Sequence, residues 1–156
     1  MQPTRQFSST GSCPCGTSSF DVGGKLLTRF LCHCAICQDL YKAPYADVTT
    51  FWAGAITVNT PESVGYKRYR APPALQRGTC KKCGAPVVGF MWLAPFTRLA
   101  FVPTRNLKVT TDLPTPSAHI FYHRRVADAS DKLPKHSGYW RSELAVAGLV
   151  LRGAAR

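Results

Sequence analysis

Cys32-His33-Cys34-Ala35-Ile36-Cys37 places three cysteines within six residues, and it lies between two further pairs, Cys13-Pro14-Cys15-Gly16 and Cys80-Lys81-Lys82-Cys83-Gly84. Each group has the spacing of a chelating unit. A C-x-x-C turn brings two sulfurs to one metal, and a glycine after the pair permits a tight backbone turn whose amides face the thiolates. In a C-x-C pair, the period-two geometry of an extended chain sets both side chains on one face. Such soft ligands suit zinc, at about 2.3 Å per Zn–S bond. The two glycine-followed pairs, Cys13 with Cys15 and Cys80 with Cys83, supply four sulfurs, a closed tetrahedral set that would staple distant parts of the domain. Cys32, Cys34 and Cys37 supply three, which leaves a fourth position for water or substrate. Spacing alone leaves two other partitions open: Cys34 and Cys37 joining Cys80 and Cys83, or one structural zinc with the remaining thiols simply buried.

Working outward, the 156-residue chain fits one domain, and its 45% hydrophobic and 18% charged content is that of a globular protein. The stretch 1–12 is polar apart from Phe7 and has no signal-peptide character, and no apolar run reaches the roughly eighteen residues that span a membrane. The expectation is a cytoplasmic protein without a membrane segment. In that reducing compartment the seven cysteines favour metal ligation over disulfides. The formal charge of +12 falls to about +9 if two zinc ions are held by seven thiolates. That balance favours anionic partners: a carboxylate-bearing small molecule, nucleic acid or an acidic protein surface.

Pro, Gly, Ser and Thr punctuate the whole length, and no sustained three-and-four apolar period appears before residue 140. A mainly β protein is therefore predicted, with strands over 19–22, 25–30, 46–51, 55–58, 65–70, 86–92, 98–102 and 119–122. Helix is expected only near the end, with Ser142 as N-cap, Glu143 in the first turn and a short apolar helix over 144–151 docked on the domain. The predicted organisation is a loose tail over 1–10, a metal-binding domain over 11–137, and a C-terminal extension over 138–156 that carries the helix.

Other residues read more simply. His33 lies between two candidate ligands, and an extended C-x-C turns its ring away from the metal. His119, His123 and His136 read as structural or surface residues, with His123, beside Arg124 and Arg125, also placed to meet an anionic substrate. Tyr66-Lys67-Arg68-Tyr69-Arg70 alternates aromatic and basic side chains, a pattern shared by solvated sheet edges and by single-strand nucleic-acid binders. Arg77, Lys81 and Lys82 flank the last cysteine pair, where positive charge would offset a four-thiolate zinc site. The eight carboxylates include no pair that suggests a glycosidase, and P-loop, dinucleotide and nucleophile-elbow motifs are absent from the sequence.

Several of these stretches together resemble a known family. They are Gly11-Ser12-Cys13-Pro14-Cys15-Gly16, the central cluster followed by Ala43-Pro44-Tyr45, Tyr69-Arg70, Arg77-Gly78 before Cys80-x-x-Cys83-Gly84, His119-Ile120-Phe121-Tyr122, and Asp131-x-Leu133-Pro134-Lys135. In this order they are similar to the glutathione-dependent formaldehyde-activating enzymes and centromere protein V. The resemblance implies a β-tent of small antiparallel sheets around a structural zinc held by Cys13, Cys15, Cys80 and Cys83. It implies a catalytic zinc on Cys32, Cys34 and Cys37. It also implies carbon–sulfur lyase activity, in which the bond between a thiol such as glutathione and an aldehyde such as formaldehyde is made or broken. The centromere-protein branch implies an alternative, a non-catalytic zinc module that binds nucleic acid or an acidic partner. Where relatives carry a small pair before Ala-Pro, this chain has Tyr41 and Lys42, which would reshape a pocket there. Pro72, Pro73 and Ala74 stand at a turn of different composition in the family, and Thr79 replaces a frequent aromatic.

Overall fold

The computed structural model describes residues 6–71 and 75–156. Its spine is β2 (Ser19–Cys32), a strand of 14 residues that runs through two sheets. Its first half pairs with β1 (Gln6–Ser12) and β4 (Ile56–Val58), and its second half with β3 (Ala46–Trp52), all antiparallel. A register shift between Leu26 and Thr28 marks the change of sheet. Such a bulge turns the strand and re-aims its side chains, so Phe20 and Val22 enter one core while Leu27 and Phe30 enter the other. Then follow β5 (Val64–Arg68), β6 (Gln76–Cys80), β7 (Pro86–Ala94) and β8 (Thr97–Pro103), and the order across the sheet is β1-β2-β3-β8-β7-β6-β5. A two-residue strand, β9 (His119–Ile120), adds parallel to the end of β2. Two helices complete the described residues, α1 (Ala35–Tyr41) and α2 (Tyr139–Ala155).

The central strand β8 shows why the sheet carries two cores. Leu99, Ala100, Phe101 and Val102 are all buried. Period-two alternation sends Leu99 and Phe101 to one face and Ala100 and Val102 to the other. On one face Ala100 and Val102 pack with Phe20, Phe51 and Val88, and with Cys13 and Cys80. On the other, Leu99 and Phe101 pack with Phe30, Ile120 and Val146, and with Cys32 and Cys37. Each core therefore holds one cysteine group.

Mainly antiparallel β structure with a C-terminal helix is what the sequence predicts, and several details differ. The strands expected separately over 19–22 and 25–30 are the single strand β2. The stretch expected as a loose tail to residue 10 is β1 from Gln6 onward, with Phe7, Ser9 and Gly11 turned inward and Phe7 packed 5.7 Å from the Phe51 ring; residues 1–5 of that tail lie outside the description. Small polar residues hide the alternation from a hydrophobicity reading, because Gly11 is buried for its lack of a side chain: a Cβ there would lie 2.3 Å from Phe20 Cζ. Helix α1 was not expected, since its seven residues are too few to show a helical period. Strand β6 was not predicted either, because Gln76, Arg77, Gly78 and Thr79 are not strand-rich types; its neighbours β5 and β7 impose the pairing. Helix α2 begins at Tyr139 and runs 17 residues, so Ser142 is inside the helix and fully buried instead of capping it. Its hydroxyl accepts from the Phe121 N–H (2.8 Å) and donates to the Gly138 carbonyl (2.7 Å). The expected turn at Pro72, Pro73 and Ala74 lies outside the described residues.

Helix α2 docks along β2. Lys25 Nζ donates to the Ala154 carbonyl at 2.8 Å. Gly153 is where the helix touches the strand most closely, and any Cβ there would stand 1.9 Å from the Leu27 carbonyl oxygen.

Candidate metal centres

Cys13, Cys15, Cys80 and Cys83 converge, with their sulfur atoms all within 4.8 Å of one another. Two turns build the cluster. Gly16 N–H donates to the Cys13 carbonyl and Gly84 N–H to the Cys80 carbonyl. These closures need left-handed backbone at Gly16 (φ +77) and Gly84 (φ +73), which glycine adopts without strain. Cys13 Sγ lies 3.5 Å from Cys15 Sγ, and Cys15 Sγ lies 3.8 Å from Cys80 Sγ. Zinc bonds of about 2.3 Å in a tetrahedron require sulfurs about 3.8 Å apart, so the donor set fits such an ion. Against the upward push of burial, the Ser18 hydroxyl and the amides of Cys83 and Lys82 bring the Cys80 thiol down to about 6. Cys80 is thus favoured as thiolate, while burial and the hydrogen bonds of Cys15 and Cys80 push Cys83 up to about 11.

Cys32, Cys34 and Cys37 form a second group of the same kind. Cys32 ends β2, Cys34 caps α1, and Cys37 lies in the first turn of that helix. Cys37 N–H donates to Cys34 Sγ at 3.3 Å, and Cys37 Sγ lies 3.5 Å from Cys32 Sγ. Hydrogen bonds from Cys32 and Cys37 hold Cys34 far below the ordinary thiol range, and the Arg77 charge adds to this. The same hydrogen bonds, with burial, push Cys32 up. One thiolate is stable here without a cation; three require one. The three sulfurs leave a side open, since among the described residues this cluster gathers no fourth metal-binding side chain.

Arg77 is the residue that sequence reasoning placed wrongly. It was expected beside the four-cysteine cluster, but period-two alternation along β6 sends Arg77 and Cys80, three residues apart, to opposite faces, and its Nη1 donates to Cys37 Sγ at 3.5 Å. The three thiols together keep its guanidinium charged despite burial. Lys81 and Lys82 do remain next to the four-cysteine cluster, with Lys81 Nζ on the Glu62 carbonyl at 2.8 Å.

The open side of the trio faces a cavity of about 110 Å³. Cys32, Cys34 and Cys37 form part of its wall, and much of the remainder is apolar, from Phe30, Ile36, Leu40 and Met91 among others. Tyr41 lines it too, and burial keeps its phenol protonated well above the usual range. Lys42 does not reach it. It takes the left-handed position that ends α1 (φ 49) and turns outward to Asp39 at 3.1 Å. From α2 come Glu143 and Val146, and from the segment after β5 comes Arg70, which pairs with Glu143 at 2.9 Å. This contribution of α2 has no sequence signal, because it depends on where the helix docks.

His33 is turned away from the sulfurs, as an extended C-x-C requires, yet it is buried. Its Nε2 lies 2.8 Å from His119 Nδ1, and His119 Nε2 lies 2.9 Å from Asp131 Oδ2. Burial and the facing His119 lower His33 to about 4, so the ring is neutral. This chain of side chains tethers the ligand-bearing end of β2 to the 131–135 loop, where Lys135 also holds Asp131 at 3.2 Å. His123 accepts from the Gly138 N–H at 2.8 Å and thereby fixes the start of α2; it does not line the cavity. On the edge strand β5, Tyr66 packs 6.1 Å from the Phe90 ring, and Lys67 lies over Tyr69. Residues 66–70 nevertheless remain exposed. Among the described residues no helix is long and apolar enough to cross a membrane.

The comparisons with known proteins agree with this geometry. A crystal structure of a Rhodobacter sphaeroides protein has a similar fold, with a TM-score of 0.52 at 18% sequence identity, covering 66% of this chain and 91% of that one. No curated protein matches the chain. The family model described as glutathione-dependent formaldehyde-activating enzyme matches residues 8–124, a span that takes in both cysteine groups and ends before α2. The chain belongs to the family of glutathione-dependent formaldehyde-activating enzymes.

Proposed function

We propose that this protein is a zinc-dependent carbon–sulfur lyase that forms or cleaves a thiol–aldehyde adduct. The observation that carries the reading is the trio of sulfurs in the wall of a cavity, open on the side that faces it. In this reading Cys13, Cys15, Cys80 and Cys83 hold a structural zinc, and Cys32, Cys34 and Cys37 hold a catalytic one. The family's thiol is glutathione and its aldehyde is formaldehyde. Seven thiols grouped for chelation favour a reducing compartment such as the cytoplasm.

When bound by the trio, zinc supplies a Lewis-acid position that favours the thiolate form of a thiol. The chain's own residues do the rest. Arg77 compensates the negative charge that gathers on the cysteine sulfurs. The apolar wall excludes water, which strengthens that charge interaction. Tyr41 stays protonated and serves as wall, not base. The reaction is balanced within the adduct itself: the C–S bond breaks with its electron pair going to sulfur, the hydroxyl oxygen becomes the aldehyde, and its proton ends on the released thiol. A dedicated acid–base pair is therefore not required.

The test is zinc stoichiometry on reduced protein together with decay of a hydroxymethyl thioether followed by NMR. The parent is expected to bind one zinc per cysteine cluster and to speed the decay. Cys34→Ser is expected to lose the second zinc and the rate while keeping the first. A variant that binds as much zinc as the parent, or a parent that leaves the decay rate unchanged, refutes the reading.

A further inference from the structure

The walls of the cavity carry information about which thiol enters it. Arg70, Arg77 and Glu143 are the charged side chains among the described residues that line it. Each already has a partner. Arg77 donates to Cys37 Sγ at 3.5 Å. Arg70 pairs with Glu143 at 2.9 Å and lies 4.8 Å from the centre of the Tyr139 ring. Both of Arg70's partners come from α2, which lies beyond the segment shared with the family. The helix thus adds Val146 as apolar wall and Glu143 as a counter-charge to Arg70, which among the described residues is the lining cation that does not face the sulfurs.

Charge and size then point the same way. A tripeptide thiol carries two carboxylates and an ammonium group, and with Arg70 already paired to Glu143 its carboxylates find no unpaired cation among the described residues that line the site. That pair is about one-third exposed, so the discrimination is that of a surface ion pair. The cavity of about 110 Å³ is smaller than the dry cavity of about 150 Å³ that accepts a benzene molecule. A body of about five heavy atoms fits that space; a tripeptide would leave most of itself outside it, where the site opens to solvent.

We propose that this site takes a small thiol, or its aldehyde adduct, with an uncharged apolar body of about five heavy atoms, and that α2 is the element that excludes charged thiols such as glutathione. The inference rests on the reading of the trio as a thiol site. Glu143 acts here as a specificity residue through Arg70 and does not touch the reacting atoms.

The experiment is calorimetric titration of the zinc-loaded full chain, kept reduced with a phosphine, with 1-butanethiol and with glutathione. Butanethiol is expected to bind several-fold more tightly than glutathione, the scale set by a partly exposed ion pair. Glu143→Ala frees Arg70, so it is expected to improve glutathione binding several-fold while butanethiol stays within about twofold. Zinc content equal to the parent's shows that the variant is folded and loaded. Glutathione binding to the parent as tightly as butanethiol overturns this proposal and leaves the trio standing as a thiol site. Binding of neither thiol sinks the thiol-site reading and this proposal with it. If Glu143→Ala leaves the preference unchanged, α2 is not the discriminating element.

Discussion

The same substitution at two positions of α2 should have opposite signs. Gly153 and Gly148 both lie within the helix, where replacing glycine by alanine gains about 0.8–1.0 kcal/mol in helix propensity. At Gly148 a Cβ meets nothing within 4 Å, so Gly148→Ala should keep most of that gain. At Gly153 a Cβ would stand 1.9 Å from the Leu27 carbonyl oxygen and 2.6 Å from its carbon, both backbone atoms of β2 that cannot rotate away. To restore an ordinary contact of 3.4 Å, the helix must retreat by about 1.5 Å. Overpacking of this kind costs about 1–3 kcal/mol, and a 1.9 Å approach to backbone atoms belongs in the upper part of that range, about 2–3 kcal/mol, so the net for Gly153→Ala is a loss of about 1–2 kcal/mol. For a chain of this length that lowers Tm by about 2–8 °C, against a rise of about 2–4 °C for Gly148→Ala. Thermal unfolding by circular dichroism with both clusters kept metal-loaded reads the two directly. A Gly153→Ala protein as stable as the parent, or two variants that move in the same direction, would refute the placement of α2 against β2.

Two further outcomes follow from the charges. Arg77→Met removes the cation facing Cys37 and should weaken zinc at the trio by about 10–100-fold in competition with a chromophoric chelator, the range found for supporting residues around metal ligands, while the four-cysteine cluster keeps its ion; equal weakening of both would show that Arg77 acts on folding at large. Asp131 is held down at about 2, first by its hydrogen bond with His119 and then by the Leu133 amide and Lys135. Its folded value lies below its unfolded one, so its contribution is complete above the unfolded value of 3.8 and is lost as pH falls from there toward 2. Asp131→Asn should flatten that part of the acid-unfolding profile, and an unchanged profile would show that Asp131 carries none of it.

What could be read without coordinates was the chemistry that resides in spacing. The C-x-C and C-x-x-C pairs with their glycines prescribe sulfurs on common faces; the grouping of four and three is one of the three partitions that spacing leaves open, and the structure brings the sulfurs together in that one. The β class was equally legible, because turn residues recur along the whole chain. What stayed hidden was everything set by contacts distant in sequence. Strand β6 has little strand propensity of its own and exists because β5 and β7 flank it. The direction of Arg77, opposite to that of Cys80, follows from period-two alternation only once β6 is known to be a strand. The pairing of His33 with His119 spans 86 residues and leaves no local signature. The closing of the cavity by α2 depends on a docking angle that Gly153 permits, and a lone glycine near a helix end reads equally well as a terminator.

Strand β6 carries Cys80 at its end and Arg77 three residues earlier, and the two side chains serve different sulfur groups. One short ribbon of backbone is therefore anchored on one side of the sheet and delivers its guanidinium on the other. Slack at the anchor would be handed on as misaim at the far end, so loosening the four-cysteine group would also disturb the guanidinium that faces Cys37.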